Sequence, residues 1–231
     1  MPFNDGDFVK VDYTARRSSD RSLVYTTLEK IAREEDAYDA ETKYSPQLVV
    51  LGKDSALKGV ENAVKIMSVG EEKTVDMEPK DTFGERDDSL VNVMHLSDFR
   101  KKDINPQPGM RLDVDGRVAI IKSVNSGRVV VDMNHPLAGE KLTYNIKVVE
   151  KVETDDKKVA ALSEHYSLKP DSVAVNGGVA KVAFGPKVKK DSNYLISKAS
   201  FSEAIFRYMN GINKVVFEEE YEREKPETEK K

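Results

Sequence analysis

Residues 141–150 alternate more regularly than any other stretch of this chain. Leu142, Tyr144, Ile146 and Val148 fall on one side, and Thr143, Asn145 and Lys147 on the other. A period of two belongs to a β-strand with one buried face, and such a strand needs neighbours and a cover for its apolar side. A second strand of this kind spans residues 8–15, where Val9, Val11, Tyr13 and Ala15 alternate with Lys10, Asp12 and Thr14. Leu48-Val49-Val50-Leu51, entered after Pro46 and ended by Gly52, reads as a buried strand; residues 73–78 alternate again with Val75 and Met77 inward. Two short amphipathic helices fall between these strands. One is expected over 26–42, on Leu28, Ile31 and Ala32, with Thr26 or Thr27 as its cap; the other covers 60–68, on Val60, Val64 and Met67, and Gly70 stops it.

The stretch 86–138 has its own rhythm. Val91, Val93, Met94, Leu96 and Phe99 follow no single period, Pro106 and Pro108-Gly109 punctuate, and three strands come next at 110–114, 117–124 and 127–133. Asp115-Gly116 and Asn125-Ser126-Gly127 supply the hairpin turns. After the 141–150 strand, Glu153-Thr154-Asp155-Asp156 reads as a linker or a helix start. A last unit then runs helix (156–166), strand (172–176), Asn176-Gly177-Gly178 turn, strand (179–184), helix (192–209), strand (214–221). This α+β unit, residues 155–231, is about the smallest size that folds alone. Its tail from Glu222 is charged, and Glu218 to Glu220 place charge on a strand edge, which discourages aggregation. No internal repeat is present.

Composition removes whole classes of function. The 231 residues contain no cysteine, which excludes disulfides, thiolate metal sites and cysteine catalysis. Lys plus Arg is 37 against 41 Asp plus Glu, a net charge of −4, so no global field favours nucleic acid or an anionic membrane. No window approaches the ~18 apolar residues that span a bilayer. Residues Met1 to Asp7 are acidic and lack the regions of a signal peptide, so a cytoplasmic location is expected. His95, His135 and His165 are too widely spaced to suggest a metal site, and the small basic run of Lys187, Lys189 and Lys190 reads as a solvated loop.

The order of segments resembles the FKBP family of peptidyl-prolyl cis/trans isomerases, in its long archaeal, SlyD-like branch. One stretch that carries the resemblance is Leu51-Gly52, then Leu57-Lys58-Gly59-Val60-Glu61, Met67-Ser68-Val69-Gly70-Glu71-Glu72-Lys73 and Phe83-Gly84-Glu85-Arg86-Asp87. Another is Val130-Val131-Asp132-Met133-Asn134-His135-Pro136-Leu137-Ala138-Gly139, running into Leu142-Thr143-Tyr144-Asn145-Ile146. Together they cover about residues 5–152; residues 155–231 resemble the extra C-terminal domain of the long members more weakly. The resemblance implies an α+β architecture. An FKBP-like antiparallel sheet around one short helix would comprise 1–85 and 139–154, an inserted mostly-β, chaperone-like domain 86–138, and a C-terminal α+β domain 155–231. The insertion would be reached by two chain crossings, which allow hinge motion.

Rotation about an X–Pro bond crosses a barrier of roughly 20 kcal/mol. The twisted transition state loses amide resonance and much of its carbonyl dipole, so a dry apolar cleft favours it. A gain of ~10⁴ in rate requires roughly 5–6 kcal/mol of differential binding. No nucleophile, metal or cofactor is called for. Position by position, the resemblance assigns to the prolyl site Tyr13 of the first strand, Ala56 and Leu57 lining it, Val60 as its floor, and Tyr144 of the last strand. Phe83 stands where tyrosine is usual, and Val24 and Tyr25 stand where an apolar residue and aspartate are usual. Phe83 lacks a hydroxyl that would bond a substrate carbonyl, a loss of ~1 kcal/mol. Tyr25 removes a carboxylate, for which Asp12 or Asp20 is a candidate substitute. Reduced rather than abolished activity is expected.

SlyD-like insertions bind unfolded chains through exposed apolar surface, for which Val91, Val93, Met94, Leu96, Phe99 and Met110 are the candidates; Met and Phe adapt to many partners. The expected partners are therefore unfolded or proline-containing polypeptides, not nucleic acid or membrane. Pattern alone makes every prolyl-site side chain a core residue, and half of the insertion's candidates the core of the small domain itself. Two other readings stay open: a non-enzymatic chaperone or binding module with a degenerate prolyl site, and a C-terminal unit that sets function by docking a partner or forming a homodimer.

Overall fold

In chain order the elements are β1 (Phe8–Arg17), β2 (Leu23–Thr26), α1 (Glu29–Glu34), β3 (Gln47–Val50), α2 (Lys58–Lys65), β4 (Glu72–Met77), β5 (Val91–His95), α3 (Leu96–Arg100) and β6 (Arg111–Val114). Then follow β7 (Arg117–Asn125), β8 (Arg128–Asp132), β9 (Leu142–Val152), α4 (Asp155–His165), β10 (Ser172–Asn176), β11 (Val179–Phe184), α5 (Ser192–Tyr208) and β12 (Lys214–Glu219). They come from a computed structural model that describes residues 2–222 except 115, 187, 189 and 190. The lysine run at 187, 189 and 190, Asp115 of the expected hairpin turn, and the tail beyond 222 lie outside the described residues. The mixed α+β class is as the sequence reads. Packing divides the chain into two units: residues 2–16, 22–75 and 144–222 form one, and 17–21 with 76–143 form the other.

The first unit is organised on a five-stranded sheet in the order β2-β1-β9-β4, with β3 also paired to β1. β1 runs antiparallel to β3 at one end, Phe8 opposite Val50, and to β2 at the other, Thr14 opposite Thr26. The alternation of β9 is realised without exception: Leu142, Tyr144, Ile146 and Val148 are all buried. On β1 the expected inward residues Val9, Val11 and Ala15 are fully buried, but so is Phe8 on the opposite face. That second face is covered by the C-terminal segment. Phe8, Leu48 and Val50 belong to one apolar cluster with Val159 and Leu162 of α4, Val182 and Phe184 of β11, and Phe201 and Ile205 of α5. The segment expected as a domain of its own thus shares its core with β1 and β3. Its sheet is β10-β11-β12, antiparallel in the first pair and parallel in the second.

The helix expected over 26–42 is only the six residues of α1. Asp36 adopts a φ of 54°, and the chain closes with Ala37 N–H on the Ala32 carbonyl and Asp36 N–H on that of Arg33. This is a Schellman stop, formed with aspartate in place of the commoner glycine. Neither threonine caps it through N2 or N3. Leu28 is the N-cap residue and makes no side-chain cap. Thr26 bonds the Thr14 hydroxyl across the sheet, while Thr27 donates to Asp12 and accepts from the Tyr13 N–H. α2 begins two residues earlier than the pattern indicates and buries Val60, Ala63 and Val64.

The second unit holds a four-stranded antiparallel sheet, β5-β8-β7-β6. β5 passes directly into α3. That explains why residues 91–99 show no single period: the spacing changes from two to 3.6 in mid-run. Phe99, expected among the exposed apolar residues, is instead 6% exposed and lies in the unit's core with Ala119, Ile121, Val129 and Val131. The single turn of α3 aims it inward, and burying such a ring stabilises the small unit by ~1.5–3 kcal/mol. Met94 and Leu96 pack half-buried against the same core, and Val91 is also half-buried. Val93, at 62% exposed, and Met110, at 37%, are open. Among the described residues no helix is long and apolar enough to cross a membrane.

Candidate active site

Three tyrosines from adjacent strands meet on the first unit's sheet. Tyr25 stands opposite Ala15 in the β1–β2 ladder, which makes it a diagonal neighbour of Tyr13. The Tyr13 ring lies 5.5 Å from that of Tyr25 and 5.6 Å from that of Tyr144, both at tilted angles. Tyr144 is buried, Tyr13 half-buried and Tyr25 exposed, so the cluster grades from core to surface. Burial pushes the Tyr13 phenol well above its ordinary value, with Tyr25 and Tyr144 adding to the effect. Burial also pushes Tyr144 up to about 12, and raises Tyr25, which Tyr44 reinforces. All three phenols stay neutral over the physiological range, each an apolar ring with a hydrogen-bond donor at its tip.

Ala56 and Leu57 sit half-buried in the loop that leads into α2, and Val60 is buried one turn further on. The loop is held by a residue whose part the sequence reading misses. The Glu61 carboxylate, 8% exposed, accepts the backbone N–H groups of Gly52 at 3.0 Å, Ser55 at 2.7 Å and Ala56 at 3.2 Å. One side chain thereby satisfies three backbone donors that a buried loop would leave orphaned. Its one signal in the sequence is an acid in the first turn of a helix, where a carboxylate also suits the helix dipole. Gly52 is fixed by geometry as well: its φ is 69°, and a Cβ there would come within 2.4 Å of the Asp5 carboxylate.

Val24 and Tyr25 edge a hollow of about 260 Å³ that also touches Ala32, Ala37 and Tyr44. Asp12 and Asp20 are the candidate substitutes for the missing aspartate. Asp12 takes the Thr27 hydroxyl at 2.8 Å, and Asp20 belongs to the second unit. Phe83 is likewise in the second unit, half-buried, with its ring stacked on His135. The structure thus brings Tyr13, Tyr25 and Tyr144 together, sets Ala56, Leu57 and Val60 on one ordered loop and helix start, and gives Phe83 a partner that the sequence reading does not assign. Among the described residues no cluster of His, Asp or Glu is arranged to hold a metal ion.

A cluster of tyrosine rings on one sheet, with phenol donors that stay protonated, suits a reaction in which a chain is twisted and no bond is made or broken. The chain belongs to the FKBP-type peptidyl-prolyl cis-trans isomerases. A family model of that description matches residues 2–98, and one described as the FKBP26 IF domain matches residues 92–137. Over 143 residues the chain is 38% identical to a short-type peptidyl-prolyl cis-trans isomerase of Methanocaldococcus jannaschii, covering 62% of this chain and 90% of the relative. It is 31% identical over 145 residues to the FKBP-type isomerase SlyD of Escherichia coli K12, covering 61% of this chain and 74% of the relative. A 16 kDa FKBP-type isomerase of the same organism is 28% identical over 139 residues, or 58% of this chain and 92% of the relative.

Proposed function

We propose that this isomerase acts on X–Pro bonds of unfolded polypeptides, which its second unit captures, and that the prolyl cleft is walled by Tyr13, Val24, Tyr25, Ala56, Leu57, Val60 and Tyr144. Within the cleft, the ring faces exclude water and favour the twisted amide, whose dipole is reduced, over the planar form. Phenol and backbone donors orient the flanking peptide. Tyr25 in place of aspartate lowers the rate without removing it, because exclusion of water carries most of the effect.

The observation that supports capture is a pair of exposed valines on one sheet face. Val93 pairs with Val130 across β5 and β8, and Val118 and Ile120 lie on the same side of β7, opposite to the core-facing Ala119 and Ile121. Val93 is 62% and Val118 65% exposed. Asp132, ion-paired with Arg86 and Lys122, lies on the same face between them, so the apolar contact points stand beside charge. The test is a pair of assays on Val93→Lys/Val118→Lys. Isomer exchange on a short proline peptide should be unchanged, and suppression of aggregation of an unfolded protein should fall. Full suppression by the double variant would overturn the capture reading, and wild-type exchange rates equal to buffer would overturn the prolyl one.

A homodimer through the C-terminal segment is favoured by one observation. Leu195, Ile196 and Phe206 lie along one side of α5 at 60%, 65% and 48% exposure. Mass in solution should double in the intact protein and halve in Leu195→Glu/Ile196→Glu; a monomeric wild type would refute this.

A further inference from the structure

The row of tyrosine rings in the first unit continues past Tyr25. Tyr144, Tyr13 and Tyr25 follow one another at 5.6 and 5.5 Å, and a second pair, Tyr44 and Tyr38, stacks at 5.6 Å with 18° between the planes. The Arg33 guanidinium lies 3.6 Å from the centre of the Tyr38 ring and ends the row. Tyr25 and Tyr44 share the hollow of about 260 Å³, which Leu23, Val24, Ala32 and Ala37 also line. The loop that carries Tyr38 and Tyr44 is bonded to itself. Tyr44 Oη accepts the Asp39 N–H at 3.0 Å, and the Thr42 N–H donates to the Asp39 carbonyl at 3.2 Å. The Asp39 carboxylate accepts the Glu41 N–H at 2.9 Å and the Thr42 hydroxyl at 3.1 Å.

The polar side chains around the hollow are already engaged. Thr26 bonds the Thr14 hydroxyl and accepts the Leu28 N–H at 3.1 Å, while Asp39 and Thr42 bond each other. A polar side chain entering it would give up water for partners that are taken, whereas a branched or aromatic one would gain by leaving water. Tyr13 does not border the hollow, which therefore lies past Tyr25. An extended chain advances about 3.3 Å per residue, so a chain whose proline sits at Tyr13 passes the hollow two or three residues away. Resting on the reading that Tyr13 and Tyr25 wall the prolyl cleft, we propose that the hollow shared by Tyr25 and Tyr44 is a specificity subsite of the isomerase: it takes an apolar side chain, the size of leucine or phenylalanine, two or three residues from the proline of the bound chain.

The test uses the intact protein and short peptides with one X–Pro bond, carrying leucine, alanine or lysine two or three residues from the proline on either side. At one of these places kcat/KM should be about tenfold higher for leucine than for alanine, the worth of partly burying one such side chain, and lysine should gain nothing. Ala37→Leu fills the hollow and should bring the leucine-to-alanine ratio close to one. A ratio of one at every place in the unaltered protein, a preference for lysine, or an undiminished ratio in Ala37→Leu overturns the assignment. Failure to speed any of the peptides would instead sink the prolyl reading on which it rests. One measurement needs no variant. The ring NMR signals of Tyr44 should shift on addition of the leucine peptide, and by more than with the alanine peptide; signals that stay put overturn the proposal whether or not Ala37→Leu folds.

Discussion

Asp87 and Asn134, 47 positions apart, exchange two hydrogen bonds at 2.9 Å each: the Asp87 N–H donates to Asn134 Oδ1, and Asn134 Nδ2 donates back to the Asp87 carbonyl. They sit where the chain enters and leaves the small four-stranded sheet, so a single buried amide staples the two crossings. Asn134→Ala should lower the stability of the second unit by about 1–3 kcal/mol, the cost of leaving the partner groups unsatisfied. Hydrogen exchange at residues 91–132 should accelerate correspondingly, while exchange in the first unit stays as it was.

Asp132, next along the same crossing, ties the stability of this unit to acid. Burial opposes its charge, but the Asn134 amide and backbone N–H together with Arg86 outweigh burial and bring its pKa down to about 2. The folded value lies below the unfolded one of about 3.9, so this contribution is complete above about pH 4 and is lost as pH falls toward 2. Acid titration followed by NMR of the second unit should show unfolding within that window. In Asp132→Asn the unit should be weaker at neutral pH and less sensitive to acid.

Glu61 gives a sharper separation of stability from catalysis. Glu61→Ala strips the acceptor from three backbone N–H groups and should cost about 2–3 kcal/mol in denaturant melts. Because the released loop carries Ala56 and Leu57, peptide isomerisation should drop with it, mainly through KM. Glu61→Gln, which still accepts through its amide oxygen, should recover part of both.

The proposed cleft relies on the tyrosine rings more than on their hydroxyls. Tyr13→Phe should reduce kcat/KM by less than about fivefold, since at most one hydrogen bond is removed. Tyr13→Ala opens the cleft to water and should reduce it tenfold or more. Equal losses in the two variants would mean that the hydroxyl, not the apolar wall, drives the reaction.

Phe8 links the N-terminal strand to the C-terminal segment. Phe8→Ala should cost about 3–5 kcal/mol. Deleting residues 155–231 uncovers Phe8, Leu48 and Val50 together, and the remainder should melt at lower temperature or aggregate. A truncated chain as stable as the whole would show that the shared core contributes nothing to the sheet.

Much of this is legible in residue order. β9, β10 and β11 follow their apolar periods closely, because local alternation dictates which face a residue takes, and α5 falls where its helix is expected. α1 is harder to read: its stop depends on Asp36 adopting a left-handed conformation, which aspartate permits but does not announce. Phe99 could not be placed either, since a five-residue helix carries too little period to show which way its one aromatic points.

The amino-acid order by itself determined most of the elements and the isomerase family, since these rest on local periods and on contiguous motifs. Only the tertiary structure decided that Glu61 holds the loop before α2, that His135 stacks on Phe83, and that the C-terminal segment shares a core with β1. Each of these joins groups that meet because the backbone folds back on itself. Hydrogen-bond direction, ring stacking and close packing depend on positions in space, which neither spacing nor composition encodes.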